Sequence, residues 1–280
     1  MFRVGAMREE DFDFAVAITD SEGWFLKRED FEFSLELEPE GCLLLFRDSE
    51  RIGLVTNVSY GNKIAWLGNL IVDKNYRGEG GGRELVEASL SFMHGKGVET
   101  VALYAYQDVV SFYLKQGFEV DIEFSVMKGK IASSLNEDGV KRAEVSDLQG
   151  IVEFDEGCFG ASRRKLLEPV IEDSDNVCHV CFEGNELLGY AVAKPYDGLA
   201  ELGPLVLLRD RGDMVNSLVK AVANDLGEAE MFVVVPSKEL SVILELIDLG
   251  FREDFRVKRM FHGPAKLDSC ICFAESLERG

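Results

Sequence analysis

The chain carries its own pattern twice. Arg51-Ile52-Gly53-Leu54-Val55 returns as Leu187-Leu188-Gly189-Tyr190-Ala191, and Leu67-Gly68-Asn69-Leu70-Ile71-Val72 returns as Leu202-Gly203-Pro204-Leu205-Val206-Leu207. Gly117-Phe118 recurs as Gly250-Phe251, and in both copies a methionine follows, Met127 and Met260. One such agreement means little, but four in the same order, about 135 residues apart, imply two like units in tandem. A chain of 280 residues is long enough for two substantial cores. The expected units are residues 1–131 and 138–280, joined across the small, polar stretch Lys130-Ile131-Ala132-Ser133-Ser134-Leu135-Asn136-Glu137-Asp138-Gly139.

Hydrophobic residues make up 46% of the chain and charged ones 29%, the balance of a globular protein rather than a disordered or membrane one. No run approaches the roughly 18 apolar residues of a spanning helix, and Met1-Phe2-Arg3-Val4-Gly5 reads as a strand rather than a signal peptide. A cytoplasmic location is therefore expected. The formal net charge of −21, from 51 acidic and 30 basic residues, disfavours nucleic acid, anionic membranes and polyanionic substrates by repulsion. Amines remain welcome as partners.

In the first unit an apolar run, Leu70-Ile71-Val72, leads into Arg77-Gly78-Glu79-Gly80-Gly81-Gly82-Arg83 and then a helix with Val86, Leu90 and Met93 on one face. Glycines admit positive φ and close approach, and the first amides of a helix have no intrahelical partner, so this segment is built to receive an anion. The dinucleotide pattern G-x-G-x-x-G fails because Arg83 stands where its third glycine belongs, and no Gly-Lys-Ser/Thr completes a Walker loop. Downstream, Thr100–Tyr106 reads as a strand, and Asp108 caps a helix that carries Tyr113 and ends at Gly117.

The spacing Arg77-x-x-Gly80-x-Gly82 resembles the pyrophosphate loop of the GCN5-related N-acetyltransferases (GNATs), an acyl-CoA family. Phe112-Tyr113-Leu114-Lys115-Gln116-Gly117-Phe118 is similar to that family's tyrosine signature, in which the phenol sits beside the thioester sulfur. Asp20-Ser21-Glu22-Gly23-Trp24 resembles the YitH-like branch, where an ordinary acetyltransferase domain precedes a degenerate one. The resemblance implies an α/β (α+β) fold class, with two tandem GNAT folds, each a mixed, centrally splayed β-sheet flanked by helices. It implies acetyl-CoA as cosubstrate, held by Leu70, Ile71, Val72, Arg77, Gly78, Glu79, Gly80, Gly81, Gly82 and Arg83. Tyr113 becomes the acid that protonates the departing thiolate. Many members carry Asn seven residues before this tyrosine; here Tyr106 takes that place.

The second unit differs where the chemistry lies. After Leu205-Val206-Leu207-Leu208 it offers Arg209-Asp210-Arg211-Gly212-Asp213-Met214, without the paired glycines and with acids in the loop, and Leu246 replaces the tyrosine. Cofactor chemistry is therefore expected in the first unit only. The expected reaction is direct attack of a small-molecule or peptide amine on the acetyl carbonyl, with no metal. Glu22 is the candidate base, its plain alternative being a capping or surface acid. Arg163 is expected to pair with an acid, of the first unit or of the acceptor. The six cysteines read as buried free thiols, because Cys178-His179-Val180-Cys181 lies in strand-like sequence with no second ligand pair. The competing reading is a non-catalytic acyl-CoA sensor or interaction module, and the sequence gives no oligomeric state.

Overall fold

A computed structural model describes residues 1–131, 139–227, 229–264 and 270–280. The first half runs β1 (Phe2–Ala6), α1 (Phe12–Asp20), α2 (Arg28–Leu37), β2 (Leu43–Arg47), β3 (Glu50–Tyr60), β4 (Ile64–Val72), α3 (Gly81–Gly95), β5 (Thr100–Tyr106), α4 (Val110–Leu114) and β6 (Glu119–Gly129). The second runs β7 (Val140–Arg142), α5 (Leu148–Phe159), α6 (Arg164–Glu172), β8 (Val177–Glu183), β9 (Glu186–Tyr196), β10 (Leu199–Leu208), α7 (Met214–Leu226), β11 (Glu230–Pro236), α8 (Leu240–Asp248), β12 (Arg252–His262) and β13 (Cys270–Cys272). Most of the expected joining stretch, residues 132–138, lies outside the described residues. The helix expected from Asp108 to Gly117 is only the short α4, entered at Val109 with no side-chain cap.

Among the described residues, the thirteen strands share one mixed sheet in the order β1-β2-β3-β4-β5-β12-β6-β11-β10-β9-β8-β7, with β13 paired to β10. The halves exchange strands at its centre. β12 of the second half sits antiparallel between β5 and β6, and β6 of the first half sits between β12 and β11. The charges explain the pairing. Glu123 of β6 accepts Arg256 at 2.8 Å and Lys258 at 2.6 Å from β12, and Asp121 accepts Arg259 at 2.6 Å. Opposite charges directly across a ladder favour one register and disfavour self-pairing of either strand.

The repeat is structural as well as sequential. A Cβ on Gly53 of β3 would lie 2.5 Å from the Ile71 carbonyl oxygen of β4, and one on Gly189 of β9 would lie 2.5 Å from the Val206 oxygen of β10. Both glycines permit the same close strand approach. β4 and β5 pair in parallel only from Ile64–Trp66 against Thr100–Ala102, then diverge. β10 and β11 likewise pair only from Leu199–Leu202 against Glu230–Val233. Each half thus has a sheet split open at its centre, with α3 or α7 packed beside the split. Helix α3 buries Leu85, Val86, Ser89 and Met93 on one face, as its periodicity requires.

Between the halves, Tyr60, Trp66 and Ala102 of the first pack with Ile151, Phe159, Leu166 and Tyr190 of the second in a single core. Two of the six cysteines depart from the expectation of free thiols: Cys158 of α5 and Cys270 of β13 form a disulfide across a sequence separation of 112. Nothing in the spacing of those two cysteines marks them as partners; tertiary packing brings α5 against β13. Cys42, Cys178, Cys181 and Cys272 are free, and burial pushes their thiols up to about 12. Cys178 and Cys181 fall in different cores on opposite faces of β8.

Candidate active site

Past Trp66, β4 keeps β3 on one side and has lost β5 on the other, so one edge of its backbone is unpaired in mid-sheet. At this point the β3–β4 ladder carries a bulge, and Asn69 takes a left-handed conformation with φ 50°. Leu70 lies half-buried beyond it, while Ile71 and Val72 are buried. Ile71 packs on the α1–α2 side and Val72 on the α3 side.

The chain then passes through a short 3-10 turn, Lys74–Tyr76, into the glycine loop. Gly78 and Gly80 have φ of 82° and 100°, conformations that L side chains rarely adopt, and nothing lies within 4 Å of where a Cβ would stand on either. The loop surface is therefore bare backbone facing outward. Gly80 caps the fifteen-residue helix α3, whose first amides have no intrahelical partner and carry the positive end of its dipole. Gly81 is packed against Leu45, and a Cβ on Gly82 would lie 3.3 Å from Phe112 Cζ, which sets the loop against α4.

Arg77 donates from Nε to the Val72 carbonyl at 2.8 Å and pairs with Glu22 Oε1 at 2.6 Å, so the strand end and the α1–α2 connection both orient its guanidinium. Glu22 is thereby placed at the loop with a cation as its partner. Glu79 pairs with Arg47 of β2, and Arg83 with Glu87 one helical turn on. Tyr113, only 7% exposed, stacks edge-on with Phe112 and Phe118 at centroid distances of 5.0 and 5.7 Å. Burial raises its pKa, so the phenol keeps its proton at neutral pH. No hydrogen bond engages that hydroxyl among the described residues.

The second half lacks this arrangement. A short 3-10 turn, Arg209–Arg211, replaces the glycine loop, and its arginines are engaged by Glu239 and Glu183. Phe251 donates its amide to the Leu246 carbonyl at 2.9 Å as Phe118 does to Tyr113 at 3.1 Å, which makes Leu246 the equivalent of Tyr113. Above all, the gap between β10 and β11 is filled. β13 pairs with Val206–Leu208, Phe273 donates to the Leu205 carbonyl at 2.8 Å, and Ala274 donates to Val234 at 3.0 Å.

From there the chain crosses to the first half. Tyr60 donates to the Arg279 carbonyl at 2.7 Å, and Arg163 donates to the Gly280 carbonyl at 2.6 Å. Arg163 itself is fully buried and bidentate on Asp155 of its own half, at 2.7 and 3.1 Å, rather than on an acid of the first half or an acceptor. Sequence reasoning missed this crossing segment. Its signal was the repeated Leu-Gly of Leu67-Gly68 and Leu202-Gly203, which leaves room for passing backbone in both halves.

Comparison with known proteins agrees with this geometry. Residues 6–118 match the acetyltransferase (GNAT) family model and residues 151–270 an acetyltransferase (GNAT) domain model. The chain is 26% identical to holothin acyltransferase of Pseudoalteromonas sp., over 87% of this chain and 82% of that protein. It is 24% identical to the uncharacterized N-acetyltransferase YitH of Bacillus subtilis, over 71% and 70% of the two chains. A crystal structure of a proposed acetyltransferase from Pyrococcus horikoshii superposes with a TM-score of 0.81 at 26% identity, covering 100% of this chain and 96% of that one. Two split sheets, one open beside a glycine loop and a protonated tyrosine and one closed by its own chain, thus go with two matches to one family: the chain belongs to the GCN5-related N-acetyltransferase superfamily, as a tandem-domain acyltransferase.

Proposed function

We propose that the first half binds acetyl-CoA and transfers its acetyl group to a primary amine by direct attack, while the second half serves as a degenerate domain that takes no cofactor. The observation that carries this reading is the unpaired edge of β4 running into the outward-facing backbone of Gly78 and Gly80 at the start of α3, with Phe112 against Gly82 and Tyr113 in the same apolar cluster as Val72. Leu70, Ile71 and Val72 supply the strand edge along which the pantetheine lies. Its amides polarise the acetyl carbonyl as charge develops there. Gly78, Glu79, Gly80, Gly81, Gly82 and Arg83 present backbone amides to the pyrophosphate, and Arg77 adds a charge-assisted contact. Glu22, the candidate base of the sequence, is paired with Arg77, and in this proposal it sets the direction of that guanidinium instead.

In the transfer, the amine nitrogen bonds to the carbonyl carbon, the C–S bond breaks, and Tyr113 gives its proton to the leaving sulfur. The second proton lost by the nitrogen restores the phenol. Burial keeps the phenol in its protonated form, the form from which an acid must start.

Titration calorimetry with acetyl-CoA tests the binding half of this reading, and release of free CoA with a panel of primary amines tests the chemistry. One site per chain is expected. Arg77→Ala should weaken binding several-fold, and Gly80→Val should nearly abolish it by forcing a β-branched residue to φ 100°. Two sites per chain, or full affinity in Gly80→Val, would overturn the assignment. Tight binding with no amine-dependent turnover would instead mark an acyl-CoA sensor.

A further inference from the structure

The segment Phe273–Gly280 leaves the filled split of the second half and passes the split of the first. At Gly203 of β10 an ideal Cβ would lie 2.7 Å from the Glu275 carbonyl oxygen. At Gly68 of β4 it would lie 2.5 Å from Glu278 Cβ and 2.6 Å from Glu278 Cα. Gly68 and Gly203 are the same position of the internal repeat, so each glycine is there to let this one segment through. Gly68 lies just beyond Trp66, the last β4 residue paired to β5, and beside the bulge at Asn69. On the reading above, that is where the acyl carbonyl sits.

We propose that Glu278, delivered to the first half's cleft by the second half, is the catalytic base: it receives the acceptor as a primary ammonium ion and takes the proton that must leave before the nitrogen can attack. The inference rests on the preceding reading of the first-half gap as the acyl site. Glu278 differs from its neighbours in accessibility. Its side chain is 17% exposed, whereas Glu275 is completely buried between Arg279 and Lys194. Tyr106 at the end of β5 and Tyr196 at the end of β9 are partly exposed, and the charge of Glu278 adds to the effect of burial in raising their pKa.

The charges around Glu278 favour a cationic guest. Lys194 of β9 bonds to Glu201 of β10 at 2.9 Å and also pairs with Glu275, while Arg279 bonds to Glu275 at 2.9 Å and to Glu278 at 3.1 Å. Three carboxylates thus share two cations, and an ammonium ion supplies the missing charge. The Glu201 carboxyl is raised first by burial, with Glu278 and Glu275 adding to that and Lys194 and Arg279 opposing it.

The proton account closes. The ammonium gives one proton to Glu278, which passes it to solvent; the neutral nitrogen attacks; and the second nitrogen proton replaces the one that Tyr113 gives to sulfur. The products are the acetylated amine, free CoA and one proton.

The test uses the full chain and the best substrate from a thiol-release screen of phenethylamine, cadaverine, glucosamine and a short peptide with a free amino terminus. Glu278→Gln should lower kcat/KM for that amine by about a hundredfold or more while calorimetry finds acetyl-CoA affinity unchanged. Its kcat/KM should climb with pH toward the pKa of the amine itself, because the amine must then arrive already deprotonated. Glu278→Asp, which keeps the charge, should recover part of the rate and restore the wild-type profile. Glu278→Gln with wild-type rates and pH profile would overturn this inference and leave the acyl site standing. Loss of acetyl-CoA affinity in both variants would assign Glu278 a structural role and overturn it too. A wild-type chain that binds acetyl-CoA but releases no CoA with any of the four amines would overturn the transferase reading itself, and this inference with it.

Discussion

Among the described residues, Tyr113 is held by its aromatic neighbours and no hydrogen bond engages its hydroxyl. Replacing it with Phe keeps the packing against Phe112 and Phe118 and removes only the hydroxyl to which we assign the acid role. We expect Tyr113→Phe to lower turnover at least tenfold, within the roughly hundredfold or greater effects usual for proton transfer, while acetyl-CoA affinity stays near wild type. Steady-state kinetics beside calorimetry separates the two, and unchanged turnover with chemistry rate-limiting would return Tyr113 to a packing role. At the same scale, the sequence pointed to the loop residues because each is defined by local demands: positive φ at Gly78 and Gly80, and a helix start at Gly81. It could not show that Glu22 faces Arg77, a contact across 55 positions of chain. Nor could it show that Arg163 pairs with Asp155 of its own half rather than across the halves.

Among the elements, β6 and β12 decide how the two halves depend on each other. β12 covers the edge of β5 on one side and that of β6 on the other, so a chain stopping before β7 would expose both. Residues 1–131 expressed alone should show no cooperative thermal transition and should aggregate, whereas co-expression with residues 139–280 should restore a soluble complex that binds acetyl-CoA. Circular dichroism melting and size-exclusion chromatography check this. A monomeric, cooperatively melting 1–131 fragment would mean that β5 and β6 can close on each other without β12. The complementary charges of the two strands, Asp121 and Glu123 against Arg256, Lys258 and Arg259, are visible in the sequence, but only the assembled sheet gives them partners.

Over the whole molecule, Glu38 at the end of α2 pins the halves together. It accepts from Lys165 of α6 at 2.9 Å and from the Ser59 hydroxyl at 2.5 Å, and it also pairs with Lys96. Burial alone would raise its carboxyl, but the bonds from Lys96, Ser59 and Lys165 outweigh that and hold it down to about 2. A carboxyl with a depressed folded-state pKa stabilises fully above its ordinary value of 4.5, and the contribution is lost as pH falls through about 2. Because the two lysines are 41% and 37% exposed, solvent screening reduces the gain. We expect Glu38→Gln to lose about 1–2 kcal/mol at pH 7. Urea unfolding at pH 7 and near pH 3 should show the gap between wild type and variant shrinking with acid; a constant gap would mean that the effect is not electrostatic.

The sequence by itself determined the repeat, the glycine loop, the strand and helix around it, and the loss of both loop and tyrosine in the second half. Each of these is a local demand of backbone conformation or periodicity, written into neighbouring residues. Only the tertiary structure decided the exchange of β6 and β12, the disulfide between Cys158 and Cys270, the filling of the second gap by β13, and the arrival of Glu278 beside Gly68. These join residues far apart in the chain. Their energies come from burial, strand pairing and charge pairing that exist only once the sheet is assembled, so no short window of sequence contains them.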